Sequence, residues 1–453
     1  MTEFISTHMS EWGGVLQLIY VAGLLLVAKV VKEKVPVLNK ILIPSALVAG
    51  LIGWLLSDQA LGLFTVDVGF LKVIIYNSMG LGFIALALKT AKESKEMRPL
   101  TTGAIIASGY LLQAIIGSLI VVLLFKEYFL GTGFLIALGF SQGPSLAYNI
   151  GNGWEQSGLI ALGSGLGVAI AAIGFLWGGV FGVIVNNIHA RKNKLKILSV
   201  KHEIVKTTIE IESHSKVTFF DALTSQIVLI LLVYGGVFVI LTGTEYFLPK
   251  IGNLGDTFAN LFYGLNFLIG MFLAFGFKKI QKTFTAKGKD LRFLTNNYIL
   301  QSISSFLFNL MITASVLIIS SASVRQYLPF ILIATSIAGV ITYFYFKVMA
   351  RWQFDNHHHE YTIGLYGNGT GTISTGIALV KMLDPNLEKP VVQDLVMGAG
   401  TALFFAIPLF AILALPEAFA DKGATGILYV FLALVGYLLI LLMGLAISKR
   451  LRK

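Results

Sequence analysis

Long apolar stretches, separated by short polar connections, recur along almost the whole chain. A helix needs about 20 mainly apolar residues to cross a bilayer. The segments that meet this condition predict spans at 14–31, 41–57, 70–90, 101–125, 158–186, 222–242, 258–277, 293–322, 327–349, 391–415 and 424–448. The pattern therefore predicts an all-α polytopic membrane protein.

Two stretches interrupt this pattern with glycine and uncharged polar residues. The first is GFSQGPSLAYNIGNG (Gly139–Gly153), and the second is IGLYGNGTGTISTGIALV (Ile363–Val380). Glycine at this density disfavours a helix interior, and Pro144 removes a backbone donor. Irregular backbone at membrane depth is tolerated only where it is buried in protein or lines a watery cavity. We therefore expect two re-entrant hairpins, at 132–156 and 361–384.

The basic residues follow the positive-inside rule. With the N-terminus outside, all but five of the 34 Lys and Arg residues fall on the cytoplasmic side. The exceptions are Lys72, Lys126, Lys250, Arg325 and Lys422. This distribution predicts two five-span halves of opposite orientation, each with one hairpin, followed by an additional span and a cytoplasmic C-terminus.

The predicted organisation divides the chain into four parts. They are a first transmembrane repeat at 1–186, a basic cytoplasmic linker at 187–220, a second, inverted repeat at 221–415, and the extra span with its basic tail at 416–453. Inverted repeats around a central site are typical of secondary transporters, and interrupted helices at corresponding places in the two halves indicate the binding site.

Composition agrees with this interpretation and excludes several function classes. The 453 residues are 56 % hydrophobic and 13 % charged, with a mean hydropathy of +0.81, which excludes an ordinary soluble protein. The absence of cysteine excludes disulfides, thiol catalysis and cysteine-based metal sites. Because the cations that give the net charge of +11 lie in the loops, we predict no nucleic-acid partner; membrane lipid is the expected surrounding partner.

The hairpins supply the candidate ligands. Backbone N–H groups at the start of a half-helix suit a carboxylate, whereas free carbonyls and neutral oxygens suit a monovalent cation. The candidate substrate-binding residues are Ser141, Gln142, Gly143, Ser145, Asn149, Asn368, Thr370, Thr372, Ser374 and Thr375. The candidate sodium-binding residues are Asn152, Ser305, Asn309, Gly367, Gly369 and Gly371.

Several of these features have alternative interpretations. The glycines can serve close helix packing, an interpretation we favour for Gly163, Gly165 and Gly167. The stripe formed by Gln301, Ser305 and Asn309 fits hydrogen bonding between helices as well as it fits ligand contact. The GNGTG run lacks the lysine of a phosphate-binding loop. The histidines at His357–His359 are either solvated or zinc-binding.

The missing residue types favour sodium over protons as the coupling ion. No Asp, Glu, Lys or Arg occupies the middle of a predicted span, and Glu155 and Lys381 at the hairpin edges come nearest. A charge at the bilayer centre costs about 2.5–3.5 kcal/mol on insertion scales. Proton-driven carriers usually need such a titratable group. The same absence argues against a membrane-embedded enzyme, which requires a catalytic group at depth.

The chain resembles the sodium/glutamate symporter family in its two inverted five-span halves, basic central loop and two glycine-rich stretches, quoted above. The resemblance implies sodium-coupled import of glutamate or a related small organic anion across a bacterial inner membrane, by a homodimer without cofactors. The sequence SQGPSLAYN departs from the small residues and histidine typical of the family, and the eleventh span is additional. An ion channel or uncoupled facilitator built from the same broken helices is the alternative function.

Overall fold

The computed structural model describes residues 12–35, 43–89, 98–193, 219–252, 255, 259, 262–287, 294–384 and 389–452. Most of the predicted linker, residues 194–218, lies outside this set, as does the N-terminus up to residue 11. Within the described ranges the protein is all-α, and its only β-type pairing is an isolated bridge between Ser57 and Phe64.

The helices are numbered in chain order. They are α1 Gly13–Lys34, α2 Ser45–Leu56, α3 Val68–Leu88, α4 Pro99–Leu124, α5 Gly131–Ala137, α6 Pro144–Gln156, α7 Gly163–Leu176, α8 Gly182–Lys192, α9 Phe219–Phe247, α10 Asn266–Ala286, α11 Asn297–Leu317, α12 Ser321–Gln353, α13 His358–Thr370, α14 Ile373–Lys381, α15 Val391–Ile412, α16 Leu415–Ala418 and α17 Gly423–Arg450. Two π-helical segments, Leu138–Gln142 and Trp177–Phe181, extend α5 and join α7 to α8.

Nine helical segments of the described chain are long and apolar enough to cross a membrane, so the protein is a multi-pass membrane protein. They confirm nine of the eleven predicted spans. The span expected at 41–57 contains the 12-residue helix α2, which is shorter than a bilayer requires. Part of the span expected at 258–277 lies outside the described residues; within them, α10 begins at Asn266 and continues through Lys278, Lys279 and Lys282.

The chain folds into two compact units, and each unit takes helices from both halves of the sequence. The first unit holds most of α1 together with α2, α3, α9, α10 and α11; the second unit holds α4 to α8 and α12 to α17. Neither unit therefore corresponds to one predicted repeat.

Packing within the units pairs helices in a recurring way. In the first unit α3 packs against α10, and α2 packs against α11. In the second unit α4 packs against α15 and α5, and α12 packs against α7 and α13. In addition, α6 packs against α7, and α14 packs against α15. Each unit thus contains partnerships between the two halves of the chain: α3–α10 and α2–α11 in the first unit, and α4–α15 and α12–α7 in the second.

A buried carboxylate joins three helices of the second unit. Asp394 in α15 is fully buried and accepts a hydrogen bond from the Arg98 backbone N–H at 2.5 Å and one from the Tyr361 hydroxyl at 2.6 Å. Arg98 precedes α4, and Tyr361 lies in α13. The Arg98 guanidinium also donates to Asp355, which holds the pKa of that carboxyl below its usual value. Because Asp355 is exposed, this outer ion pair adds little stability.

Replacing Asp394 with alanine is expected to destabilise the second unit. The change leaves the buried Tyr361 hydroxyl and the half-buried Arg98 N–H without their acceptor, and an unpaired buried donor costs about 1–3 kcal/mol. We expect a clear drop in melting temperature in detergent, and a smaller drop for Tyr361→Phe, which removes one donor with its hydrogen bond. Asp421→Ala, at an exposed position, is the matched control. Equal melting temperatures for Asp394→Ala and wild type would show that this network contributes nothing.

Candidate functional site

The first helix break lies at residues 142–144 in the second unit. The π-helical segment ends at Gln142, Gly143 has φ +86° and ψ 174°, and α6 begins at Pro144. Only glycine adopts this backbone conformation without strain. Proline suits the first position of a helix because the N–H it lacks would be unpaired there. The local sequence therefore explains both the end of one helix and the start of the next.

The second break lies at residues 370–372 and is shorter than the sequence indicates. The helix α13 runs through Gly367 and Gly369 to Thr370, and α14 begins at Ile373. The expectation of irregular backbone at Gly367 and Gly369 is therefore wrong. Tertiary packing overrides glycine's poor helix propensity: a Cβ on Gly367 would lie 2.7 Å from the Gly376 Cα, and one on Gly369 would lie 2.5 Å from the Phe346 ring.

A hydrogen-bonded group links the two breaks. Gln113, fully buried in the middle of α4, donates from Nε2 to the Gly369 carbonyl at 2.7 Å and to the Thr342 hydroxyl at 3.1 Å. The Ser141 hydroxyl lies 2.5 Å from Gln113 Oε1 and 2.8 Å from the Gly369 carbonyl oxygen, and its single proton serves one of them at a time. Residues from α4, α12 and both interrupted segments thus meet at one point.

Glycines in α7 and in the π-helical segment that follows it allow these segments to pack closely on the second break. A Cβ on Gly174 would lie 2.5 Å from the Thr370 carbonyl oxygen, and one on Gly178 would lie 2.9 Å from the Thr370 hydroxyl. Gly163 and Gly167 pack in the same way on the backbone of α6, and Gly165 packs on Ser323. These contacts confirm the packing interpretation of Gly163, Gly165 and Gly167.

Two buried amide groups beside the breaks have no hydrogen-bond partner among the described residues: Gln142 Nε2 and Asn368 Nδ2. Asn368 is only 6 % exposed, and an unpaired buried donor costs about 1–3 kcal/mol. The helices α6 and α14 begin at the breaks, where the first backbone N–H groups and the positive end of the helix dipole lie. Hydrogen-bond donors of this kind suit an anion.

The other predicted substrate residues differ in their surroundings. Ser145 and Thr375 are buried, whereas Ser374 is exposed. Thr370 donates to the Tyr366 carbonyl in its own helix, so its hydroxyl is already paired. The Thr372 and Thr375 hydroxyl oxygens lie 3.4 Å apart. Asn149, a partly buried residue, lies on α6.

The predicted sodium-binding residues fall in both units. Asn152, Gly367, Gly369 and Gly371 belong to the second unit, while Ser305 and Asn309 are exposed on α11 in the first. The Ser305 hydroxyl accepts a hydrogen bond from Gln301, whose own side-chain oxygen accepts from Lys89. In the second unit, the Gly367 carbonyl accepts from the Gly371 N–H, and the Gly369 carbonyl has the Gln113 and Ser141 donors.

The three consecutive histidines have separate surroundings. A ring nitrogen of His358 contacts the Phe354 carbonyl, and His359 stacks on His189 with ring centroids 3.5 Å apart. His359 also contacts the buried amide of Asn186. Among the residues that the structure describes, no group of three or more His, Cys, Asp or Glu side chains is arranged to hold a metal ion.

Sequence reasoning missed Gln113 and Thr342. A usable signal exists for Gln113, because a carboxamide in the middle of the apolar span PLTTGAIIASGYLLQAIIGSLIVVLL must find a buried partner. The partner itself, a carbonyl 256 residues away, leaves no trace in the local sequence. Thr342 gives no signal, since single hydroxyls are common in apolar helices.

Comparison of the chain with protein-family models, with curated proteins and with solved structures found no match.

Proposed function

We propose that this protein is a secondary active transporter that carries a small organic anion, glutamate or a related compound, together with sodium by alternating access. The observation that carries the proposal is the junction of the two interrupted segments at Gln113, Ser141 and the Gly369 carbonyl. Each segment comes from a different half of the chain. Interrupted helices that meet in this way are the usual construction of a transporter's central site.

The recurring helix partnerships support an inverted repeat. The pairs α2–α11 and α10–α3 are counterparts, as are α4–α15 and α12–α7. A twofold relation between the halves produces such reciprocal pairs. If each half crosses the membrane five times, the second half enters it in the opposite orientation. The basic residues then lie mainly in the cytoplasm, the N-terminus outside and the C-terminus inside.

For the substrate we propose a carboxylate held by the unpaired amides of Gln142 and Asn368 and by the N-termini of α6 and α14. Backbone N–H groups and neutral amides bind an anion without a buried cation, which would be costly at membrane depth. For the coupling ion we retain sodium with neutral oxygen ligands around Asn152, Gly367, Gly369 and Gly371. The carbonyl of Gly369 would then exchange its present donors for the ion.

Uptake by the purified protein in proteoliposomes tests the proposal. We expect one or more of a panel of labelled small carboxylates, glutamate and aspartate included, to accumulate under an inward sodium gradient. Replacing sodium with potassium should abolish accumulation, and a protonophore should leave it intact. Uptake driven by a proton gradient in sodium-free buffer would contradict sodium coupling. Ion currents without saturable carboxylate uptake would contradict transport and favour a channel.

A further inference from the structure

A cavity of about 410 Å³ lies beside the start of the C-terminal helix, within the second unit. The end of α4, the loop after it, and the segment from Pro416 to the first turns of α17 form its walls. Small-molecule sites usually measure about 300–1,000 Å³. Gly423, with φ +52°, and Gly426, whose Cβ would lie 2.4 Å from the Phe419 carbonyl oxygen, fix the course of the chain along one wall.

The lining is mainly apolar, and Lys126 and Tyr128 are its polar side chains. Val122, Phe129, Ile427 and Val430 contribute hydrocarbon and aromatic surface, and Lys126 is the charged residue of the lining. A second lysine is adjacent: Lys422 lies with Nζ 4.8 Å from the ring centroid of Phe419, which also lines the cavity. Three acids are neighbours of the cavity but do not belong to the lining: Glu127 and Asp421 are exposed, and half-buried Glu417 accepts a hydrogen bond from Ser157. The cavity therefore combines an apolar interior with a positive edge.

These two lysines are also exceptional in the sequence. Lys126 and Lys422 are among the five basic residues that depart from the predicted cytoplasmic bias. The membrane-spanning segment of α4 ends at Leu124, just before the cavity, and Tyr128 and Phe129 follow it. Aromatic residues at the end of a span are typical of the lipid headgroup level. At that level a lysine can meet a lipid phosphate while the apolar residues meet an acyl chain.

We propose that this cavity binds an anionic phospholipid, with an acyl chain against Ile427 and Val430 and the phosphate at Lys126 and Lys422. The occupant is a lipid because the surrounding membrane supplies it to a cavity with apolar walls. It is anionic because both cations at the cavity lack an acidic partner within the lining. The proposal concerns a site separate from the helix breaks and does not depend on the transport proposal.

Native mass spectrometry of the purified 453-residue protein in detergent tests whether the cavity binds an anionic phospholipid. The probes are phosphatidylglycerol and phosphatidylcholine with identical acyl chains. Wild type is expected to bind phosphatidylglycerol at least about fivefold more tightly, the contribution of one lysine near a lipid headgroup. Lys126→Gln should lower this preference, and the double variant Lys126→Gln/Lys422→Gln should remove it. Lys250→Gln, at another predicted exterior lysine that does not line the cavity, should keep it.

A second pair of variants tests the cavity itself. Ile427→Trp fills the interior and should remove the tightly bound lipid of either type. Leu428→Trp adds the same volume at the next position, which is exposed and does not line the cavity, and should bind lipid like wild type. If Ile427→Trp is not monodisperse, the comparison of Lys126→Gln with Lys250→Gln tests the proposal instead. Equal binding of both lipids by wild type, or equal loss of preference in the two lysine variants, would overturn the proposal.

Discussion

Replacing Gln113 with leucine is expected to reduce uptake of the transported anion at least about tenfold. The Gln113 side chain pairs with the Gly369 carbonyl, the Ser141 hydroxyl and the Thr342 hydroxyl, all at the junction of the two breaks. Leucine has nearly the same volume but can neither donate nor accept a hydrogen bond. Each buried group left unpaired costs about 1–3 kcal/mol. We expect this cost to fall on the conformations in which the junction holds the substrate, and 1.4 kcal/mol corresponds to a tenfold change in rate.

The measurement is the initial uptake rate in proteoliposomes that contain equal amounts of folded variant. Ser141→Ala should have a smaller effect, because Gln113 still donates to the Gly369 carbonyl in that variant. Ser118→Ala is the control on the same helix: its hydroxyl is buried without a hydrogen-bond partner, so its removal should leave uptake unchanged. A stable Gln113→Leu protein with wild-type uptake would show that the junction does not take part in transport.

Asn368→Leu is expected to separate substrate affinity from stability. The Nδ2 group of Asn368 is buried without a partner in the described structure. Removing this group should leave the melting temperature of the variant equal to that of wild type or higher. If the amide donates to the substrate carboxylate, the same change should raise the KM for uptake about tenfold or more. A purely structural asparagine would show the opposite result, with a lower melting temperature and an unchanged KM.

Thr370→Val is the matched variant in the same helix. The sequence places Thr370 among the substrate ligands, which predicts weaker binding on loss of its hydroxyl. In the structure this hydroxyl donates to the Tyr366 carbonyl, so we now expect less than about a threefold change in KM. A large increase in KM for Thr370→Val together with none for Asn368→Leu would exchange the roles that we assign to these residues.

Most of the helices could be predicted from the sequence because a membrane span depends on the local content of apolar residues. This holds for nine of the eleven predicted spans. The first break is equally local, since Gly143 supplies the left-handed conformation and Pro144 starts the next helix. The sequence also indicated that the two glycine-rich segments would be interrupted, and each of them contains a break.

The tertiary structure decided which groups meet. Helix α13 keeps its helical form through Gly367 and Gly369, and it packs so closely on Gly376 and the Phe346 ring that no side chain would fit at either position. The same packing shortens the second break and carries the Gly369 carbonyl to Gln113, 256 residues away along the chain. Local composition can mark a polar group as needing a partner. Only the long-range packing of helices determines whether that partner is its own backbone, as for Thr370, or a distant helix, as for Gln113.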